Sequence, residues 1–185
     1  MIDFNHRARE PEMLDGGVSA AEMRDSLADL RLVNRRLSNS NRLLQTVLAF
    51  LDGLPEPRLL DVGCGSADLL ERVRRQSRRP LLAVGVDIKL PHLQLAPSTV
   101  KKVVSDVRRL PFRPQSFDVV MATHFLHHFD GPELAEILEA LFALARRALV
   151  ISDLRRARVP YVFGRVAFPL IFRSGVSVSD GLVSI

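Results

Sequence analysis

The stretch Arg58-Leu59-Leu60-Asp61-Val62-Gly63-Cys64-Gly65-Ser66-Ala67-Asp68-Leu69-Leu70 constrains this chain more than any other. It opens as a short apolar run, turns on two glycines and continues as the start of a helix. An apolar run bounded by glycines reads as a buried strand. Without a Cβ, Gly63 and Gly65 allow a tight turn and close approach of a ligand. The following helix leaves N–H groups unpaired in its first turn, and Ser66 stands where it can cap that helix. Strand, glycine turn and helix in this order place a ligand site at the carboxyl end of the first strand of an open α/β sheet.

The rest of the chain continues the alternation. Leu81 to Val86 is a second apolar run, and it ends in Asp87. An acidic residue about 20 positions after a glycine turn can accept hydrogen bonds from ribose hydroxyls. Pro91 and Pro97 bound an irregular or weakly helical connection. Val100, Val103 and Val104 suggest a third strand, Phe117 to Ala122 a fourth and Ala148 to Ser152 a fifth. Asp130-Gly131-Pro132-Glu133 is a helix start, with proline in the first turn. Strands alternating with helices mean a parallel sheet covered on both faces.

Upstream, Ser19-Ala20-Ala21-Glu22 has the capping-box pattern, and Met23, Leu27, Leu30, Val33 and Leu37 follow at helical spacing. A second helix carries Leu43, Leu44, Val47, Leu48 and Leu51. The expected division is an N-terminal helical appendage, residues 1–55, and an α/β domain, residues 56–185. Residues 160–172 are rich in apolar side chains but are interrupted by Arg165 and Pro169. They suit a packed helix, a pocket wall or a membrane-surface helix. After them the sequence shows no clear closing element.

Composition excludes several classes. No run of about 18 uncharged apolar residues is present, so no spanning helix is expected. The start lacks the apolar core of a signal peptide, and a cytoplasmic protein is the default expectation. Cys64 is the single cysteine, so no intrachain disulfide can form. The net charge of +5 comes from 26 basic and 21 acidic residues. Arg72, Arg74, Arg75, Arg78 and Arg79 cluster at the end of one helix, where cations suit the dipole. No aromatic residue interleaves them, so no nucleic-acid partner is expected. No spaced Cys/His/Asp/Glu set argues for a metal.

Which ligand does the turn suit? A dinucleotide fingerprint wants a small third residue where Asp68 stands, beside a pyrophosphate. A carboxylate there crowds the helix and repels phosphate. A cationic ligand without phosphate meets no such conflict. S-adenosylmethionine is such a ligand, with a sulfonium, an ammonium and a ribose. Asp61 and Asp68 then lie near its cationic end, although either can equally be structural.

Leu59 to Asp68 resembles the first motif of class I S-adenosylmethionine-dependent methyltransferases. Gly85-Val86-Asp87 resembles their ribose-binding acidic turn. Ser105-Asp106-Val107, Leu110-Pro111-Phe112 and Phe117-Asp118-Val119-Val120 resemble their adenine-side loop and fourth strand. His124-Phe125-Leu126-His127-His128-Phe129 resembles the segment that follows in many small-molecule members. Asp29-Leu30-Arg31-Leu32-Val33-Asn34 and Asp180-Gly181 look like a bacterial subgroup.

The resemblance implies a doubly wound, mainly parallel Rossmann-like sheet. The family's C-terminal antiparallel hairpin is missing from the pattern after Asp153, and Ala67 replaces the usual third glycine. It implies methionine-end contacts from Asp61, Gly63, Cys64 and Gly65, ribose contacts from Asp87 and Ile88, and an adenine border of Asp106 and Val107. Thr123 joins this cofactor-binding set. It also implies methyl transfer from S-adenosylmethionine to a small lipophilic or phenolic acceptor. His124, His127 and His128 are candidate proton acceptors. Two alternatives stay open: an NAD(P)-dependent oxidoreductase, and a non-catalytic or truncated binding module that keeps the fold.

Overall fold

The computed structural model describes residues 19, 21–26, 28–29, 40–153, 172 and 174–183. The chain divides into two compact units, Asn39–Asp153 and a second made of Met1–Ser38 with Leu154–Ile185.

The larger unit runs α1 (Ser40–Leu51), β1 (Arg58–Val62), α2 (Asp68–Gln76), β2 (Leu82–Asp87), α3 (Leu90–Gln94), β3 (Lys101–Val104), β4 (Phe117–Thr123), α4 (Gly131–Leu144) and β5 (Ala145–Ser152). Short 3-10 turns cover Val107–Arg109 and Leu126–His128. The five strands pair in the order β3-β2-β1-β4-β5, and every pairing is parallel. The order reverses beside β1, so the first crossovers leave β1 on one side and the later ones on the other. In open α/β sheets ligands bind at such a switch point, which here lies outside the carboxyl ends of β1 and β4. Among the described residues no strand follows β5.

Strand side chains alternate between faces, and the core divides accordingly. Leu59, Val119 and Met121 pack with Leu44, Val47 and Leu51 of α1 and Leu70 and Val73 of α2. Leu60, Val62, Val84, Val86, Val120 and Ala122 pack with Ile137, Leu141 and Leu144 of α4. Leu59 and Leu60 are both fully buried, so truncating either to alanine costs about 2–5 kcal/mol. β1 is thus buried on both faces and flanked on both edges. That fixes the starting point of the glycine turn.

Two sequence expectations change. The division near residue 55 does not follow the contacts, because α1 is packed into the core of the sheet unit. Ser66 does not cap α2: the N-cap is Ala67, in the left-handed region at φ 56°, and the Ser66 hydroxyl instead donates to Asp68 Oδ2 at 2.6 Å.

In the second unit, Ser19 and Glu22 form the expected capping box. Glu22 N–H donates to Ser19 Oγ at 3.3 Å, and Ser19 N–H donates to Glu22 Oε2 at 3.0 Å. These two bonds satisfy donors that a helix start leaves open. The helix Gly175–Val183, here α5, gives the unit the closing element missing from the sequence pattern. Its start is fixed by Ser174, whose N–H donates to Asp29 Oδ2 at 2.9 Å and whose hydroxyl accepts from Val176 N–H. The expectations for residues 1–18, 30–37 and 160–171 lie outside the described residues. No described helix is long and apolar enough to cross a membrane.

Candidate functional site at the carboxyl ends of the strands

The chain leaves β1 through a turn that only unusual backbone angles permit. Gly63 has φ 67° and Gly65 has φ 53°, both in the left-handed region. Ala67 takes the same region at φ 56° with a side chain attached, which costs about 1–2 kcal/mol. The turn is pinned at three points. Cys64 N–H donates to Val86 O at 3.0 Å, Gly65 N–H donates to Asp87 Oδ2 at 2.8 Å, and Ala67 N–H donates to Cys64 O at 2.8 Å. Asp87 therefore holds the glycine turn while its other oxygen accepts from Lys89 N–H at 2.8 Å. His92 lies 3.8 Å from the same carboxylate.

Asp61 sits on β1 opposite Gly85 and Met121 and is 4% exposed. Burial first, and then the charge of Asp87, push its carboxyl well above the usual carboxylate range. A cation brought against it would reverse that shift. The thiol of Cys64 is likewise pushed far up by burial and by Asp61 and Asp87, which disfavours its thiolate form. The turn thus offers carboxylates and backbone N–H groups.

Ile88 follows Asp87 and is 61% exposed. Asp106 caps the 3-10 turn after β3: its Oδ1 accepts from Arg108 N–H at 2.9 Å, and Oδ2 from Arg108 Nη1 at 3.1 Å. Those bonds hold its carboxyl below the ordinary range. Val107 is buried behind it. Thr123 ends β4, and its Oγ1 is buried without a hydrogen-bond partner. A buried unsatisfied hydroxyl costs about 1–3 kcal/mol, so such an atom in a folded protein calls for a partner such as a bound water or ligand.

The three histidines differ. His124 adopts φ 49°, and its N–H donates to Ser152 O at 2.9 Å. Burial lowers its proton affinity, against the opposing pull of Asp153. His127 is clamped: Asp153 Oδ2 accepts from its N–H at 3.0 Å, and Asp153 Oδ1 lies 2.7 Å from its Nδ1. The His128 ring stands 4.3 Å from that of His127. Two residues here carry no signal in the one-dimensional pattern. Asp153 is visible only as the acid closing the fifth strand, and Phe125 only as one apolar residue of the run His124-Phe125-Leu126-His127. Phe125 nonetheless lies against Gly63, where a Cβ would meet its Cδ2 at 2.3 Å.

Residues 60–149 match the family model described as "Methyltransferase domain". A solved S-adenosylmethionine-dependent methyltransferase from Aquifex aeolicus superposes with a TM-score of 0.54 and 20% identity, covering 70% of this chain and 72% of that one. The fold is that of the class I S-adenosylmethionine-dependent methyltransferases. The plantazolicin methyltransferase BpumL, solved in complex with a pentazolic desmethylPZN analog and SAH, is similar over 89% of this chain and 70% of its own, with a TM-score of 0.62 and 18% identity. A curated relative from Bos taurus, "Probable tRNA methyltransferase 9B", is 30% identical over 107 residues, which are 57% of this chain and 20% of that protein. The chain thus matches about a fifth of that relative's length. Seen within the methyltransferase fold, β1, its glycine turn, the end of β2 and the end of β4 form one contiguous rim.

Proposed function

We propose that this protein binds S-adenosylmethionine at the β1 glycine turn and transfers its methyl group to a small lipophilic or phenolic acceptor. One observation carries the choice of cofactor: the turn is tied to the Asp87 carboxylate at 2.8 Å and backed by the buried Asp61 carboxyl. Such carboxyl groups suit a cation carrying a ribose and suit a pyrophosphate poorly. The methyltransferase-domain match supports the same choice over an oxidoreductase.

In this proposal Gly63, Cys64, Gly65 and Asp61 hold the methionine end. Asp87 and Ile88 hold the ribose, Asp106 and Val107 border the adenine, and Thr123 lines the methionine side from β4. When bound, the cofactor supplies an electrophilic methyl group on sulfur. The chain's own part is to align the acceptor at near-attack distance, which in favourable cases supplies several kcal/mol. An acceptor hydroxyl also has a proton to lose. Of His124, His127 and His128, His127 has the ring orientation fixed by a carboxylate, the arrangement that sets a histidine tautomer. His124 is buried with lowered proton affinity, and it stands closest in sequence to the β4 end.

A second reading has a specific observation behind it. The relative named for tRNA methylation makes RNA a rival acceptor. The deciding experiment incubates the chain with labelled S-adenosylmethionine and, separately, a small-molecule extract and bulk tRNA. Label in an organic-soluble product is the expected result. Label in the tRNA alone overturns the small-acceptor proposal, and calorimetry showing no S-adenosylmethionine binding overturns the cofactor assignment.

A further inference from the structure

We propose that the ring of Phe125 is the surface that reads the positive charge of the cofactor's sulfonium; the inference rests on the assignment of the glycine turn to S-adenosylmethionine. Phe125 packs directly on Gly63. A Cβ built at that glycine would meet Phe125 Cδ2 at 2.3 Å, Cγ at 2.4 Å and Cβ at 2.9 Å. The ring therefore occupies the space a side chain at position 63 would take, at the turn that holds the methionine end.

The ring is also held in place. Phe129 meets it edge-on, with centroids 5.3 Å apart at 69°, and His128 is tilted against it at 6.1 Å. The backbone on either side is fixed: His124 N–H donates to Ser152 O, His128 N–H donates to Phe125 O at 3.2 Å, and His127 is clamped by Asp153. Arg108, which lies over Phe129 with its carbon 5.4 Å from the centroid, is engaged by Glu133 and Asp106.

An aromatic face is electron-rich and attracts onium groups, and the attraction grows when water is excluded. Asp87, which accepts from Gly65 N–H, belongs to the same turn. The demethylated product is a neutral thioether of nearly the same shape. An aliphatic side chain at 125 would pack against both molecules alike, whereas an aromatic one favours the charged form. Phe125 thereby biases the site toward the methyl donor over its product.

The test measures affinity, not turnover. The full chain is titrated calorimetrically with S-adenosylmethionine and with S-adenosylhomocysteine, then repeated with Phe125→Leu, Phe125→Met and Phe125→Tyr. Leucine and methionine keep apolar bulk on Gly63, so one serves if the other fails to fold. Either is expected to weaken S-adenosylmethionine by about tenfold and to change S-adenosylhomocysteine by less than about twofold. Tyrosine, which keeps the ring, is expected to keep the ratio of the two affinities. Equal changes for both ligands would reduce Phe125 to packing and overturn the inference. Binding of neither ligand by the unaltered chain would overturn the assignment of the turn itself, and this inference with it.

Discussion

Gly65 and Asp87 are joined across the β1–β2 pair, the glycine N–H donating to Asp87 Oδ2 at 2.8 Å. The two groups are 22 residues apart in sequence, and the parallel register that sets Val62 beside Val86 brings them together. Lys89 N–H fixes the other oxygen. Hydrogen bonds to an ionised acceptor are about twice as strong as neutral ones, so the carboxylate shapes the turn, and in the role proposed for it would meet a ribose already oriented.

The change Asp87→Asn is therefore expected to do more than remove a charge. If the amide nitrogen turns toward Gly65, two donors oppose each other. We expect S-adenosylmethionine affinity to fall by about 10–100-fold, or 1.4–2.8 kcal/mol, with faster amide exchange at Gly65. Affinity within twofold of the unaltered chain, measured by calorimetry, would contradict the assignment.

Gly85 and Cys64 form a second dependent pair. A Cβ at Gly85 would meet Cys64 Sγ at 2.8 Å but Cys64 Cβ only at 3.5 Å. Gly85→Ala alone should cost about 1–3 kcal/mol through overpacking. In a Cys64→Ala background the sulfur is gone and the contact is ordinary, so the same change should cost under about 0.5 kcal/mol. A double-mutant cycle from denaturant melts should then return a coupling of about 0.5–3 kcal/mol. Additive costs would mean that the strand, not the sulfur, resists the substitution.

Asp61 sets a pH dependence. Its folded-state carboxyl titrates well above the unfolded value because it is buried beside Asp87. The folded chain then holds the proton more tightly, so stability falls as pH rises from about 4 upward through the folded value. Asp61→Asn removes that loss. The variant should be more stable at pH 7 by on the order of 1 kcal/mol, a Tm gain of about 2–4 °C, with a flatter stability profile above pH 4. Its affinity for S-adenosylmethionine should fall at the same time. A variant less stable at pH 7 would show that the carboxylate is compensated in the folded chain.

Much of this was legible in one dimension because it rests on local signals. Apolar runs such as Leu59-Leu60 and Val119-Val120 mark strands buried on both faces, and glycines mark the turn between them. The capping box at Ser19 and Glu22 reads directly. What escaped depends on distant partners. Gly175–Val183 alternates small and β-branched residues like a strand, yet it is helical, and its start is fixed by Asp29, 145 residues away. The first part of β5, Ala145-Arg146-Arg147, looks polar because it begins on an exposed edge, with Arg146 Nε donating to Gln115 O. The contact of Phe125 with Gly63 depends on His124 taking a left-handed backbone, which no residue pattern announces.

That left-handed step is stabilised from β5, and the last prediction concerns its anchor. Asp153 accepts from both the backbone N–H and the ring of His127, at 3.0 and 2.7 Å. Asp153→Ala should release the loop of residues 124–128 while leaving the strands intact, since Asp153 lies just past the end of β5. Losing two such bonds should cost the loop about 2 kcal/mol, which corresponds to amide exchange about 30-fold faster at His127 and His128. Exchange at Leu60 and Val120, buried in central strands, should stay the same. Because the loop carries Phe125 onto the glycine turn, cofactor affinity should fall with it. Unchanged exchange at His127 would mean that the loop is held by its own turn and not by the carboxylate.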